Sequence, residues 1–297
     1  MVESTDDQVI DAHQHIWSLT RAAYPWMSPD DATLARDHTI EDAVQQLDDV
    51  GIAGTILVQS ADNAADSEVM FEAAAVSSRV RGVVAWVPLD DPRHADELLK
   101  QWENESAFCG IRALIHTRDD PSWLATPEVD SVLGMLADRD LPLDIIAPGH
   151  GRLKAAIDMG ERHRNLRMVI DHLGHPPIRE DDAGRWRALM TEVAANPATH
   201  AKVSGLYPTT GPMDRWTVDD IAPAIHAGIE MFGPQRLMYG GDWPISTLAG
   251  GYERVWSALD GVFGSLDESE RARIRAGTAT DFYRLRTTAS PLERKTR

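Results

Sequence analysis

The sequence predicts an α/β fold, a (β/α)8 TIM barrel, on three observations. Eight short runs rich in Val, Ile and Leu recur along the whole chain, as strands buried on both faces do. Amphipathic helical patterns separate them. The first run leads into His13-Gln14-His15-Ile16-Trp17, and not into the phosphate-binding glycines expected there in an open doubly wound sheet, the runner-up fold. No low-complexity linker divides the 297 residues, so one barrel domain over 1–297 is expected.

The elements follow in order. The first strand is read at residues 9–16. Residues 18–38, with Pro25, Trp26 and Pro29, form a long first loop in the place of a lid. Thr39 caps a helix over Ile40–Val50, with Asp42 three residues on as the capping-box acid. Ile40, Ala43, Val44 and Leu47 make its apolar face, and Gly51 stops it. Strands two and three are read at 54–60 and 82–88, and Leu98, Leu99 and Trp102 mark the helix after them. Strand four is read at 110–115. Thr126-Pro127 then opens a helix with Val129, Val132, Leu133 and Leu136 inward. Strands five and six are read at 143–147 and 167–172, followed by a helix carrying Trp186, Leu189, Met190 and Val193. Strand seven spans 201–205, a helix spans 219–232 and ends at Gly233-Pro234, and strand eight spans 236–242. The polar tail after Arg286 is read as frayed.

Lys and Arg total 29 against 47 Asp and Glu, a net charge of −18. Such a surface repels phosphate backbones, which excludes nucleic acid and anionic membranes as partners and leaves a small molecule. The single cysteine, Cys109, rules out an intrachain disulfide. Residues 1–8 carry no signal-peptide pattern, and no apolar run approaches the ~20 residues that span a bilayer. A cytoplasmic protein is the expectation, with a homo-oligomer left open.

In a barrel, chemistry sits at the C-terminal ends of the strands. Strand alternation points His13 and His15 the same way at the first strand end, a pair of potential metal ligands. The bland reading is two hydrogen-bonded histidines. His172 ends strand six, either as a further ligand or as a donor that polarises a carbonyl, and His175 lies just beyond it. Gly240-Gly241-Asp242-Trp243-Pro244 ends strand eight. The glycines permit close backbone approach, and Asp242 arrives at the mouth able to bind metal or take a proton from water. A turn or cap is its bland reading. Arg112 and Lys202, in core strands, call either for ion-pair partners or for an anionic ligand. Gln59, Trp86 and His150 complete the strand-end candidates, and Trp17, Trp26 and Trp243 are candidates for an apolar wall.

As an ordered set, Asp11-Ala12-His13-Gln14-His15-Ile16-Trp17, Gly110-Ile111-Arg112, Asp171-His172-Leu173-Gly174, Lys202-Val203-Ser204-Gly205-Leu206 and Gly241-Asp242-Trp243-Pro244 resemble the amidohydrolase superfamily. The nearest branch is the amidohydrolase-2 group, which holds sugar lactonases. The resemblance covers residues 8–285 and implies a distorted barrel that hydrolyses a small lactone. It implies Asp242 as general base, with His13, His15 and His172 as the polar centre. Some members hold one zinc there, through residues matching His13, His15, His172 and Asp242, and others work without metal. Two-metal members use a carboxylated lysine on strand four. No lysine lies between Lys100 and Lys154, so one divalent ion or none is expected. The alternatives are a metal-dependent decarboxylase using a strand-five histidine, a lactone isomerase, and a non-catalytic ligand-binding barrel.

Overall fold

A computed structural model describes residues 8–179, 182–207 and 212–286; the tail read as frayed lies outside them. Eight parallel strands run in sequence order: β1 (Ile10–Gln14), β2 (Gly54–Val58), β3 (Val80–Ala85), β4 (Phe108–Ala113), β5 (Leu143–Ile145), β6 (Met168–Ile170), β7 (Thr199–Val203) and β8 (Leu237–Tyr239). The Gln14–Trp243 bridge brings the end of β1 against the segment after β8. The result is the distorted (β/α)8 barrel. Every predicted strand is present and ends earlier than predicted, while β3, β4 and β7 also begin two residues earlier.

The helices between are α1 (Ile40–Val50), α2 (Ala64–Val76), α3 (Pro92–Trp102), α4 (Pro127–Asp138), α5 (His150–Arg162), α6 (Ala183–Ala194), α7 (Val218–Phe232) and α8 (Tyr252–Phe263). Thr39 and Asp42 form the predicted capping box on α1, and Gly51 ends it at φ 75°. Thr126 precedes Pro127 of α4 but makes no side-chain cap bond. Among the described residues, no helix is long and apolar enough to cross a membrane.

Strand alternation divides the core in two. Leu57, Val83, Ile111, Ile145, Ile170 and Val203 face the helices in one large cluster. Their neighbours Ile56, Val58, Val84, Val169 and Met238 fill the barrel interior, which Phe282 and Tyr283 close from below. By the same alternation Arg112, Asp144 and Lys202 turn inward, and all three are buried. The interior of this barrel is therefore ionic near its mouth and apolar beneath.

His200 on β7 lies near this floor, its ring centroid 4.5 Å from that of Phe282. Burial is the main reason its imidazole is held at about 4. The unfolded chain takes up a proton near pH 6.5 and the folded one does not, so this site's contribution is complete above pH 6.5 and is lost as pH falls toward 4. His200→Leu should reduce the pH slope of unfolding free energy by up to about 1.4 kcal/mol per unit across that window. Urea denaturation at pH 7 and pH 5 measures it, and equal slopes for the two proteins contradict it.

Candidate active site

The site is built where β1, β6, β7 and β8 end. Ala12 faces the interior, so strict alternation would turn His13 outward with Asp11. The β1–β2 register shifts between Asp11 and Gln14. Asp11 stays outside, taking a 2.6 Å bond from the Tyr252 hydroxyl of α8, while the His13 ring reaches Lys202 on β7 at 3.0 Å. Asp11 also accepts from the backbone N–H of His13 and of Gly241, each at 2.9 Å, which ties the two strand ends together. Burial pushes the Asp11 carboxyl up to about 7. The histidines do converge, but through this local irregularity and not through the even alternation expected.

After β6 the chain makes a single helical turn over Asp171–Gly174, with His172, Leu173 and His175 all left-handed at φ 55°, 49° and 53°. Such backbone costs about 1–3 kcal/mol per residue and persists only where packing enforces it. Here the Trp186 indole donates to the Leu173 carbonyl at 2.8 Å. His172 is held by Ser204, its Nδ1 2.9 Å from Oγ, and lies flat on Gly205, where a Cβ would come within 2.4 Å of the ring. On the other side, a Cβ at Gly240 would stand 2.6 Å from that of His13. Gly240, the first of the two glycines before Asp242, therefore lets the end of β8 close on β1, as the sequence suggested.

Asp242 Oδ1 stands 3.5 Å from His15 Nε2 and 3.8 Å from His13 Nε2. The ring centroids of His13 and His15 are 4.8 Å apart, and those of His13 and His172 are 4.7 Å apart. Burial holds both His13 and His172 well below the usual imidazole range, with Lys202 adding to the effect at His13. Both rings are thus neutral at pH 7. The nitrogen His15 Nδ1 lies 2.7 Å from the Val58 carbonyl and must donate to it, so in the neutral ring the Nε2 lone pair faces the Asp242 carboxylate. His13 Nε2 is buried with no hydrogen-bond partner among the described residues.

A lone pair and a carboxylate facing each other at 3.5 Å require a cation or a shared proton between them. One ligand atom each from His13, His172 and Asp242 lies within 4.8 Å of the others, all buried. This set of two imidazoles and a carboxylate, with His15 alongside, fits a divalent metal ion, and zinc suits N and O donors of this kind.

The cluster opens into a cavity of about 550 Å3. Of the predicted site residues, His15, Trp17, Arg112, His172 and Asp242 line it, as does Trp26 from the long first loop. Trp26 is pinned there by its indole N–H on the Ser60 carbonyl at 2.7 Å. Others do not reach it. Lys202 is fully buried beneath, bonded to Asp144 at 2.5 Å, so its charge meets a protein carboxylate and not a ligand. Arg112 does both: its Nε donates to Asp171 at 2.8 Å and its Nη1 to the Gln59 carbonyl at 2.7 Å, and it lines the cavity. Gln59 supports Arg112 from behind, its own amide donating to Asp62. Trp243 packs on His38, and Trp86 packs near His94. His150 begins α5, where its Nε2 meets Asp182 at 3.0 Å, off the cavity wall.

Sequence reasoning missed much of the wall: His116, Tyr207, Leu114, Ile146, Met213 and Ile245. Burial holds His116 and His175 at about 4, so each presents a neutral ring. The Tyr207 hydroxyl and His175 Nε2 are buried with no protein partner among the described residues. Asp144 and Asp171 were also missed as the counter-ions of Lys202 and Arg112. Burial alone would raise Asp171, but Lys202, His13 and Arg112 around it hold it well below the usual carboxylate range.

The amidohydrolase family profile matches residues 10–285. The chain is 32% identical over 287 residues to an L-fucono-1,5-lactonase of Burkholderia ambifaria, spanning 93% of this chain and 95% of that protein. It is 31% identical over 290 residues to an L-fucono-1,5-lactonase of Burkholderia multivorans, spanning 93% and 96%. Among solved structures, an amidohydrolase from Burkholderia multivorans with bound zinc aligns at a TM-score of 0.88 and 29% identity, over 94% of this chain and all of that one.

Proposed function

This chain belongs to the amidohydrolase family, and from that premise we propose that it is a lactonase that opens a small sugar-acid lactone by attack of water on the ester carbonyl. The observation that carries the reading is the Asp242 carboxylate, set 3.5–3.8 Å from two imidazoles where the cluster meets the cavity. Two of the relatives named above are L-fucono-1,5-lactonases, which supports a sugar lactone as the substrate class.

In this reading Asp242 accepts a proton from water as the water oxygen bonds to the carbonyl carbon. The ring C–O bond then breaks, and the proton held by Asp242 passes to the departing ring oxygen, giving the hydroxy acid. His13, His15, His172 and Asp242 would hold the metal ion, which when bound polarises the carbonyl and lowers the pKa of water. Arg112, fixed on two sides by Asp171 and Gln59, presents a rigid donor edge to substrate oxygens. Tyr207 and His175 offer further buried hydrogen-bonding groups for sugar hydroxyls. Trp17 and Trp26 give the ring an apolar wall that excludes water. The decarboxylase alternative relied on a strand-five imidazole. His150 is spent on Asp182, and Ile146 reaches the wall from that strand end instead.

A panel of sugar lactones, L-fucono-1,5-lactone first, followed with a pH indicator tests the proposal, because ring opening releases a proton. Hydrolysis is expected, abolished by a chelator and restored by zinc. A zinc-loaded protein that acidifies none of the lactones overturns the reading.

A further inference from the structure

Directly beneath the cluster around Asp242 lies a second group of ligand-type side chains, which shares only His13 with the first. His13, Asp144 and Asp171 each place one ligand atom within 4.8 Å of the others, and all three are buried. Two carboxylates and an imidazole in a dry interior form a donor set for a divalent cation. The ammonium of Lys202 stands among them. Its Nζ is 2.5 Å from Asp144 Oδ2, 3.0 Å from His13 Nδ1 and 3.3 Å from Asp171 Oδ1. The remaining carboxylate capacity is taken from outside, by the Tyr283 hydroxyl on Asp144 and by Arg112 Nε on Asp171 Oδ2.

We propose that Lys202 is an internal cation that fills a second cation site and thereby limits this barrel to one metal ion. The two positions share one ring. His13 turns Nε2 toward Asp242 and Nδ1 toward the ammonium, so the lysine acts on the upper cluster through His13 as a positioning residue. A covalently tethered charge keeps the two buried carboxylates compensated whatever the supply of metal; with His13 Nδ1–H facing Asp171 Oδ1 at 3.3 Å beside it, the neutral ring keeps its Nε2 lone pair for the upper cluster. The site beneath is fully enclosed, with Lys202, Asp144 and Asp171 all at 0% side-chain exposure, so no solvent ion competes for it while the lysine is in place.

The test counts metal. Lys202→Ala removes the ammonium and leaves room for an ion among the same three ligands. Wild type, Lys202→Ala and the double variant Lys202→Ala/Asp144→Asn are purified with zinc, passed through gel filtration together with the free ion removed, and analysed for zinc per chain. Lys202→Ala should hold one zinc more than wild type, and the double variant should hold no more than wild type. Thermal melting gives the second readout: added zinc should raise the melting temperature of Lys202→Ala by more than it raises that of wild type or of the double variant. Because the count is a difference between variant and wild type, it reads out whether or not the cluster around Asp242 takes an ion of its own, which keeps this proposal separate from the lactonase reading. A Lys202→Ala protein with the wild-type zinc count overturns it. So does one that remains unfolded with zinc present, since the ion is expected to replace the missing charge.

Discussion

Asp242→Asn is expected to lower kcat for lactone opening by on the order of 10²–10⁴-fold, the range for loss of a positioned proton acceptor. At 1.36 kcal/mol per decade, that is roughly 3–5 kcal/mol of transition-state stabilisation. The choice of asparagine matters because Asp242 sits at φ 53°, in the left-handed region. Asn enters that region readily, whereas Ala would add a backbone cost of about 1–2 kcal/mol and blur the result. The backbone bond from Asp242 N to the His13 carbonyl at 2.8 Å is untouched, so the β1–β8 junction should survive. What changes is the side chain's ability to take a proton and to bear charge toward His13 and His15. Rates should therefore be read at saturating zinc, beside the metal content and melting temperature of the variant. A folded, zinc-loaded Asp242→Asn protein within tenfold of wild type would remove Asp242 from the mechanism.

The barrel was legible because its signals are local and repeated. Strands such as Gly54–Val58 are buried at every position, and the capping box at Thr39 needs only residues three apart. Strand lengths were overread where apolar sequence continues past the ladder: β6 stops at Ile170, and His172 is carried by a strained turn that nothing in Asp171-His172-Leu173-Gly174 announces except its glycine. Strand ends pointed to His13, His15, His172 and Asp242 at one mouth, but the register shift in β1 that turns His13 inward was not readable. The fate of Lys202 was not. A lysine in a buried strand demands a counter-charge, but its partner Asp144 lies 58 residues away, and only the inward alternation of β5 and β7 brings them together. The inward turn of Asp144 between Leu143 and Ile145 was the available clue. His150 failed for a different reason. Gly149, at φ 78°, starts α5 there and turns the imidazole to Asp182, and the sequence alone reads Pro148-Gly149 as a loop at the mouth. His116 and Tyr207 lie in connections without periodicity, where sequence pattern says nothing about direction.

Lys202→Met should be the most destabilising single change in the barrel interior, by about 3–5 kcal/mol at pH 8, the usual cost of breaking a buried ion pair from one side. Methionine fills much of the lysine's volume, so the loss measures charge and not a cavity. Asp144 and Asp171 would remain enclosed, with the Arg112 guanidinium on Asp171 left to face them. Burial already raises Asp144 to about 6 with the ammonium beside it, and removing the ammonium drives it higher. A carboxyl raised in the folded state gives stability that is present at low pH and lost as pH rises through its folded value. The variant should therefore lie closer to wild type at pH 5 than at pH 8, the signature that distinguishes an uncompensated carboxylate from poor packing. Lys202→Met/Asp144→Asn should recover much of the loss, since the neutral amide needs no counter-charge and can still accept from Tyr283. Urea denaturation of wild type, Lys202→Met, Asp144→Asn and the double variant at both pH values closes the cycle. A single variant within about 1 kcal/mol of wild type at pH 8, or a loss equal at both pH values, would mean that the ammonium is not what balances these carboxylates.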